Sequence, residues 1–491
     1  MAKPNIIYFV ADQMREDALH HAGCEASLTP NFDGLLEEGV SFANAYCQNP
    51  VCVPSRCSFL TGLYPHTTGH RTMHFLQDPD EPNFLRTMKN NGYEVVWIGR
   101  NDVIPGDRPK TDYCDYYFDG IHEGNWRDHT SSVAALASQI PQAVDPTVPG
   151  YYSHYIGRIS YEKAHYKGSD WSCLEQALQY LEDKKKSGNE KPFFLYLTLG
   201  FPHPPYACED PYYSRIDRTK IAPRRPNMTD LKDKPAMAQG ICRNQNLDAW
   251  LEDNYTELKA TYLAMVHRFD AQFGILTSKL KELDLYDNSS LFVFSDHGDY
   301  TGDYGIAEKV QNCFEDPISN IPLLIKPAQC FPVKPRQSQA LVELVDLCQT
   351  VCDMTGIETE YVQFGQSLLP VLTGSEQHKD AVFCEGGRIH GETWAMEKGH
   401  GPASPYYPRL SEQCKEGPEH TKATMIRMGN LKYVKRLYEK DELYDLEQDP
   451  LELHNIIDDP AYANEVLKMK DRMLTFYQET ADIVPNRKDQ R

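Results

Sequence analysis

Three apolar runs, far apart in the chain, each end in an acid, an amide or a histidine, and this repeated transition constrains the fold more than any other feature of the sequence. Ile6 to Ala11 runs into Asp12-Gln13, Lys191 to Leu199 leads to Gly200-Phe201-Pro202-His203, and Leu291 to Phe294 delivers Ser295-Asp296-His297-Gly298-Asp299. Short apolar runs bounded by turn residues read as strands buried on both faces, as a parallel sheet requires. Between them the spacing becomes helical. Leu258, Tyr262, Met265, Val266, Phe269, Phe273, Leu276 and Leu280 form one apolar face of a helix expected over 253–283. The alternation predicts an α/β fold: a large, mostly parallel central sheet flanked by helices. Open sheets of this kind carry their sites at the carboxyl ends of the strands, so Asp12 is expected at such an edge and Asp296-His297 at the same one.

Further helices are expected over 31–38, 55–63, 82–91 and 171–185, with a strand over 92–99 leading to Arg100-Asn101-Asp102. Residues 105–165 are rich in Tyr, Pro, Gly and His with weak periodicity, the texture of long loops around a pocket, and 207–245 is similarly irregular. After about residue 375 the texture changes. Short strand candidates at 381–385, 423–428, 431–437 and 442–446, and a terminal helix near 460–480, predict a smaller C-terminal α+β subdomain. The expected division is a catalytic α/β domain over 1–375 and the subdomain over 376–491.

At 491 residues, with 41% hydrophobic and 25% charged residues, the chain can bury a substantial core and shows no low-complexity block. Its formal charge of −21 argues against nucleic acid or an anionic membrane as partner, because both need a broad basic face. An anionic small substrate needs only local Lys, Arg, His or metal charge. The run Ile6–Ala11 is too short to span a membrane, and no small-residue cleavage site follows it. The fourteen cysteines lack the dense spacing of a disulfide scaffold and contain no C-x-x-C pair, so a reducing cytoplasm is expected. The sequons at Asn227, Asn254 and Asn288 mean little in that compartment.

The strand ends carry chemistry. Carboxylate, amide oxygen and imidazole, as offered by Asp12, Gln13, Asp296 and His297, suit Ca²⁺, Mg²⁺ or Mn²⁺ better than zinc or copper. Cys52, in Cys52-Val53-Pro54-Ser55-Arg56, has two readings on bare chemistry. It is a thiolate favoured by a nearby cation or helix N-terminus, or a small buried hydrophobe.

That segment, continued by Cys57-Ser58-Phe59-Leu60-Thr61-Gly62, resembles the maturation signature of the type I, formylglycine-dependent sulfatases of the alkaline phosphatase superfamily. Ser295-Asp296-His297-Gly298-Asp299, then Gly302-Asp303-Tyr304-Gly305 and Glu308-Lys309, resembles the second signature of that family. Glu442-Leu443-Tyr444-Asp445-Leu446 with Asp449-Pro450, Glu452 and Asn455 resembles its C-terminal segment. The resemblance implies an alkaline phosphatase-like fold and a sulfuric ester hydrolase. It implies that a formylglycine-generating maturation enzyme oxidises Cys52 to formylglycine, whose hydrate attacks sulfur and is regenerated when its second hydroxyl loses a proton. Asp12, Gln13, Asp296 and His297 would hold Ca²⁺, or Mn²⁺ or Mg²⁺, together with an oxygen of the modified Cys52. Arg56 would stabilise the modified side chain, Lys309 would bind sulfate, and His203 would contact sulfate or protonate the departing alcohol. The plain alternative for His203 is a loop histidine stacked on Pro204 and Tyr206.

One departure stands out. Many members carry Gly-Lys-x-His where this chain reads Gly99-Arg100-Asn101-Asp102. Arg100 keeps the positive charge, whereas Asp102 cannot replace a cationic histidine, and His66 and His70 either fill that place or line their own loop. Gln13 and His297 resemble the related formylglycine phosphonate monoester hydrolases, which makes phosphonate esters or phosphodiesters the alternative substrates; Ser55 and Lys309 favour sulfate. Arg388, His390, Trp394 and His400 offer hydrogen-bonding groups and an aromatic face to a sugar, or else form a surface loop. The expected substrate is a sulfated small molecule, in particular a mono- or oligosaccharide. Without maturation, the chain would be a metal-binding, sulfated-glycan-binding protein.

Overall fold

In a computed structural model describing residues 3–119, 150–166, 168–415, 417 and 421–483, the chain forms fourteen strands. They are β1 (Asn5–Asp12), β2 (Val40–Tyr46), β3 (Glu94–Gly99), β4 (Tyr116–Phe118), β5 (Tyr155–Ile159), β6 (Phe193–Pro202), β7 (Tyr206–Glu209), β8 (Ser289–Ser295), β9 (Leu323–Lys326), β10 (Arg336–Glu343), β11 (Val382–Gly386), β12 (Ala423–Met428), β13 (Leu431–Arg436) and β14 (Glu442–Asp445). Eight make the central sheet, in the order β10-β2-β9-β8-β1-β6-β3-β4. Neighbours run parallel except at β9, which is antiparallel to both β2 and β8. The expected α/β architecture is therefore present.

β1 sits between β8 and β6, with Ile7 opposite Leu291 on one side and Leu195 on the other. Every residue of β1 and β8 is buried, which explains their unbroken apolar sequences. Alternate side chains enter two cores. Tyr8 meets Phe194 and Phe294 on one face at ring distances of 4.9 and 5.2 Å, while Phe9 meets Phe269 of the Glu252–Glu282 helix on the other at 4.5 Å. Each such aromatic contributes about 1.5–3 kcal/mol through burial. Helix and sheet are thus held together by the residues whose spacing predicts them.

The strands β2, β4, β5, β7, β9 and β10 lie outside those expected from sequence. Four of them are only three to five residues long, too short for a pattern to register. β10 is an edge strand that opens on four polar residues, Arg336-Gln337-Ser338-Gln339, so no apolar run marks it. The Cys52–Phe59 helix begins three residues earlier than expected, because Pro54 falls in its first turn, where a missing N–H costs nothing. Part of the loop texture assigned to 105–165 lies outside the described residues.

A second, antiparallel sheet, β11-β12-β13-β14, packs against the Ala463–Thr480 helix, where Phe476 stacks on Phe383 at 3.7 Å. Lys432 of β13 ties it to the larger sheet by reaching Asp316, the Phe314 carbonyl and Glu452. Among the described residues no helix is long and apolar enough to cross a membrane. All fourteen cysteines are free.

Candidate active site

Adjacent strands β8, β1 and β6 end side by side, and their ends bring Asp296-His297, Asp12-Gln13 and His203 to one edge of the sheet. Gln13 leaves β1 in the left-handed region at φ 72, a strain of about 1–3 kcal/mol for a residue with a side chain. The turn aims its backbone N–H at Asp296 Oδ1, 3.1 Å away. The Cys52–Phe59 helix enters the same edge with Cys52 in its first turn. Cys52 Sγ lies 3.2 Å from His297 Nε2 and 3.6 Å from Asp12 Oδ1. Donor atoms of Asp12, Cys52, Asp296 and His297 all lie within 4.8 Å of one another.

Arg56, one turn further along that helix, fixes the carboxylates. Its Nε donates to Asp296 Oδ2 at 2.8 Å, its Nη2 to Asp12 Oδ2 at 2.9 Å and its Nη1 to Thr198 Oγ1 at 2.7 Å. Arg100 Nη1 approaches the same Asp12 oxygen to 2.7 Å. Gly99 permits this by running against the Thr198 carbonyl with no space for a Cβ. Asp12 Oδ1 is left facing Cys52 and His297. His297 Nδ1 donates to the Gly298 carbonyl at 2.9 Å, which leaves the Nε2 lone pair for a ligand. Two carboxylates, this imidazole and the free lone pair of Gln13 Oε1 fit a hard or borderline divalent cation.

The electrostatics separate the two chemical readings of Cys52. Burial pushes its thiol well up, and Asp12 adds to the effect, so the unmodified sulfur is a neutral thiol despite its place at a helix N-terminus. Burial alone would raise Asp12, but Arg100, His203, Arg56 and Lys309 hold its carboxyl far below the usual range. Burial pushes His203 and His297 down, helped at both by Lys309. Lys309 keeps its charge: burial would lower it, but the Glu308 and Asp12 carboxylates beside it outweigh that. Its Nζ donates to Gln13 Oε1 at 2.7 Å and to His203 Nε2 at 3.0 Å. His203 Nδ1 donates to the Pro204 carbonyl at 2.6 Å.

The structure therefore gathers Asp12, Gln13, Cys52, Arg56, Arg100, His203, Asp296, His297 and Lys309 at one locus. Asp102 also approaches it, with Oδ2 3.4 Å from Arg100 Nε and 3.8 Å from Arg56 Nε. Other expected residues are engaged differently. His66 spends both ring nitrogens on Glu385 and Thr480, and His70 spends its own on the Phe75 carbonyl and Glu81. Arg388 is buried and donates to the Lys415 carbonyl, while Trp394 is 71% exposed and His390 is exposed on the same loop. Thr198, Asp299, Glu308, His154, Tyr406 and Arg409 are the neighbours that sequence reading assigns no role. Only Asp299 and Glu308 fall in a recognisable motif.

A mostly parallel sheet with a buried cluster of acids, cations and histidines at its carboxyl edge defines an alkaline phosphatase-like hydrolase. The family profile described as Sulfatase matches residues 4–357, and the chain belongs to that family. It is 27% identical over 516 residues to a multifunctional alkaline phosphatase superfamily protein of Trinickia caryophylli, covering 98% of this chain and 96% of that one. The structure resembles the phosphonate monoester hydrolase of Agrobacterium radiobacter with a TM-score of 0.77 at 22% identity, covering 97% and 96% of the two chains. A protein solved with its substrate D-glucosamine-2-N,6-O-disulfate follows, with a TM-score of 0.71 at 19% identity, covering 99% and 100%. The chain is a sulfuric ester hydrolase by family, and its fold is shared with phosphonate hydrolases.

Proposed function

We propose that this chain hydrolyses a sulfate ester of a carbohydrate, using Cys52 matured to formylglycine and a divalent cation held by Asp12, Gln13, Asp296 and His297. The observation that carries this reading is the position of Cys52: its Sγ is 3.2 Å from His297 Nε2 and 3.6 Å from Asp12 Oδ1, inside the carboxylate cluster. An oxygen nucleophile carried on the same Cβ would take the place of Sγ, facing the cation site. Formylglycine supplies a hydrated aldehyde there, and the cation, with Ca²⁺, Mn²⁺ and Mg²⁺ as candidates, supplies charge against the sulfate oxygens. Maturation requires a partner enzyme that generates formylglycine.

The chain's own residues supply the rest. Arg56 neutralises both carboxylates and fixes their orientation. Lys309 and Arg100 present positive charge to sulfate, the preorganised kind of stabilisation that gains most in a buried site. His203 carries no proton on Nε2 in the free protein, because that nitrogen accepts from Lys309. An arriving sulfate adds negative charge and draws Lys309 to its oxygens, so that Nε2 takes up a proton from solvent and then gives it to the departing alcohol oxygen.

The test is a paired assay of matured protein on nitrophenyl sulfate and on an aryl phosphonate monoester, with Cys52→Ala as control. Higher kcat/KM on sulfate, abolished in the control, supports the proposal. Preference for phosphonate supports the second reading, which the Gln13 and His297 pair and the resemblance to the Agrobacterium radiobacter enzyme favour. Activity on neither, with formylglycine present at position 52, leaves a narrow natural substrate or a sulfated-glycan-binding role, and inactivity on sulfated sugars as well sinks the hydrolase reading.

A further inference from the structure

Beyond Lys309 the site continues into buried polar side chains that the sulfate chemistry leaves unused. Glu308 is fully buried and held at φ 73, again in the left-handed region. Its Oε1 lies 3.5 Å from Lys309 Nζ, and its Oε2 lies 3.3 Å from Arg409 Nε and 3.8 Å from His154 Nε2. None of these approaches is a hydrogen bond. Among the described residues, both Glu308 oxygens, Arg409 Nε and His154 Nε2 are buried without any hydrogen-bond partner. Arg409 reaches Gln413 Oε1 at 3.2 Å with Nη1, and Tyr406 lies beside both groups, 5.2 Å from the His154 ring and 5.7 Å from the Arg409 guanidinium.

Each orphaned buried polar atom costs about 1–3 kcal/mol, so four of them in one place mark a position that a ligand completes. Their chemistry selects the ligand. Glu308 offers two acceptors, Arg409 a donor, and His154 a ring nitrogen able to take either part. Glu308 is anionic, because burial would raise it but Arg409 and Lys309 outweigh that and bring it down to about 2; its charge cancels that of Arg409. Burial pushes His154 towards the neutral ring. No net charge remains for a second anion, whereas hydroxyl groups satisfy donors and acceptors together, and the Tyr406 ring offers a surface for C–H groups.

We propose that Glu308, Arg409, His154 and Tyr406 form a leaving-group subsite that binds the hydroxyls of an otherwise uncharged sugar ring whose sulfate lies at Lys309. The subsite deepens the sulfate-ester reading and rests on it. Lys309 joins the two, since its Nζ touches His203 at 3.0 Å on one side and approaches Glu308 on the other.

The test compares kcat/KM of matured protein on a panel of monosulfated hexoses and hexosamines with that on nitrophenyl sulfate, whose ring lacks hydroxyls. In Glu308→Gln and Arg409→Ala, the ratio of sugar sulfate to nitrophenyl sulfate falls by about tenfold or more, the worth of a hydrogen bond to a charged group. An unchanged or increased ratio in variants that keep the parent's melting transition overturns the subsite and leaves the sulfatase reading standing. Cleavage of nitrophenyl sulfate with none of the sugar sulfates does the same. A parent that cleaves no sulfate ester overturns both. Where either variant fails to fold, Tyr406→Ala at a half-buried position takes its place, and the same fall in the ratio is expected.

Discussion

Lys309 Nζ donates to His203 Nε2 across 3.0 Å, while Nδ1 of the same ring donates to the Pro204 carbonyl at 2.6 Å. The imidazole is thereby fixed as the neutral tautomer that has no proton to give until sulfate arrives. If His203 then protonates the departing oxygen, its removal matters most where the leaving group is a poor one. His203→Ala is expected to lower kcat on an alkyl sulfate by about 10²–10⁴-fold and on nitrophenyl sulfate much less, since nitrophenolate departs unprotonated. Equal losses on both substrates would make His203 a positioning residue for Lys309 instead.

The cation cluster gives a second expectation. Asp12 and Asp296 lie buried beside one another, with Arg56 as their shared counter-charge. Chelation is expected to abolish turnover and to lower the melting temperature, because a cation at one hundred times its dissociation constant stabilises the native state by about 2.7 kcal/mol. Adding back Ca²⁺, Mg²⁺ and Mn²⁺ separately then identifies the ion by which one restores both signals. Turnover and melting unaffected by a strong chelator would remove the metal from the mechanism.

One buried amine is part of how the second sheet docks, beside the core shared by Val382, Ala423 and Met425 and the Arg427–Tyr46 hydrogen bond. Lys432 Nζ, with no exposed surface, meets Asp316, the Phe314 carbonyl at 3.1 Å and Glu452 Oε1 at 2.7 Å. Lys432→Met leaves the buried Glu452 carboxylate facing the part-exposed Asp316 and is expected to cost about 3–5 kcal/mol in urea unfolding. Adding Glu452→Gln to that variant should recover part of the loss. A single substitution costing less than about 1 kcal/mol would show that water reaches these carboxylates.

What the sequence makes legible follows from range. β1, β6 and β8 are read correctly because burial on both faces demands unbroken apolar runs, and the residues after them inherit a place at the sheet edge. The Glu252–Glu282 helix is read within one residue at either end because its apolar face spans many turns. Asp12, Cys52, Arg56, Asp296, His297 and Lys309 are found because each lies in a local pattern. Arg409, Tyr406 and His154 have no such pattern. They reach Glu308 only after residues some hundred or more positions apart have been brought together, and no spacing rule reports that. His66 misleads for the converse reason: near the signature in sequence, its ring is taken by Glu385 and Thr480 of later elements.

The long helix carries a titrating group that tests the packing independently of the site. Asp270 accepts from the backbone N–H groups of Asn31 and Phe32 at 3.0 and 2.8 Å, and from Asn31 Nδ2 at 2.7 Å. Burial nevertheless prevails over these bonds and pushes its carboxyl up from 3.8 to about 7. A carboxyl raised on folding binds its proton more tightly in the native state. Its contribution to stability is therefore complete below 3.8 and is lost as pH rises through about 7. Asp270→Asn cannot ionise, so the unfolding free energy of the parent relative to this variant should fall as pH rises from 3.8 to about 7 in urea titrations. A difference that grows with pH would mean that the three donors outweigh burial and hold Asp270 as a carboxylate capping the Pro30–Leu35 helix.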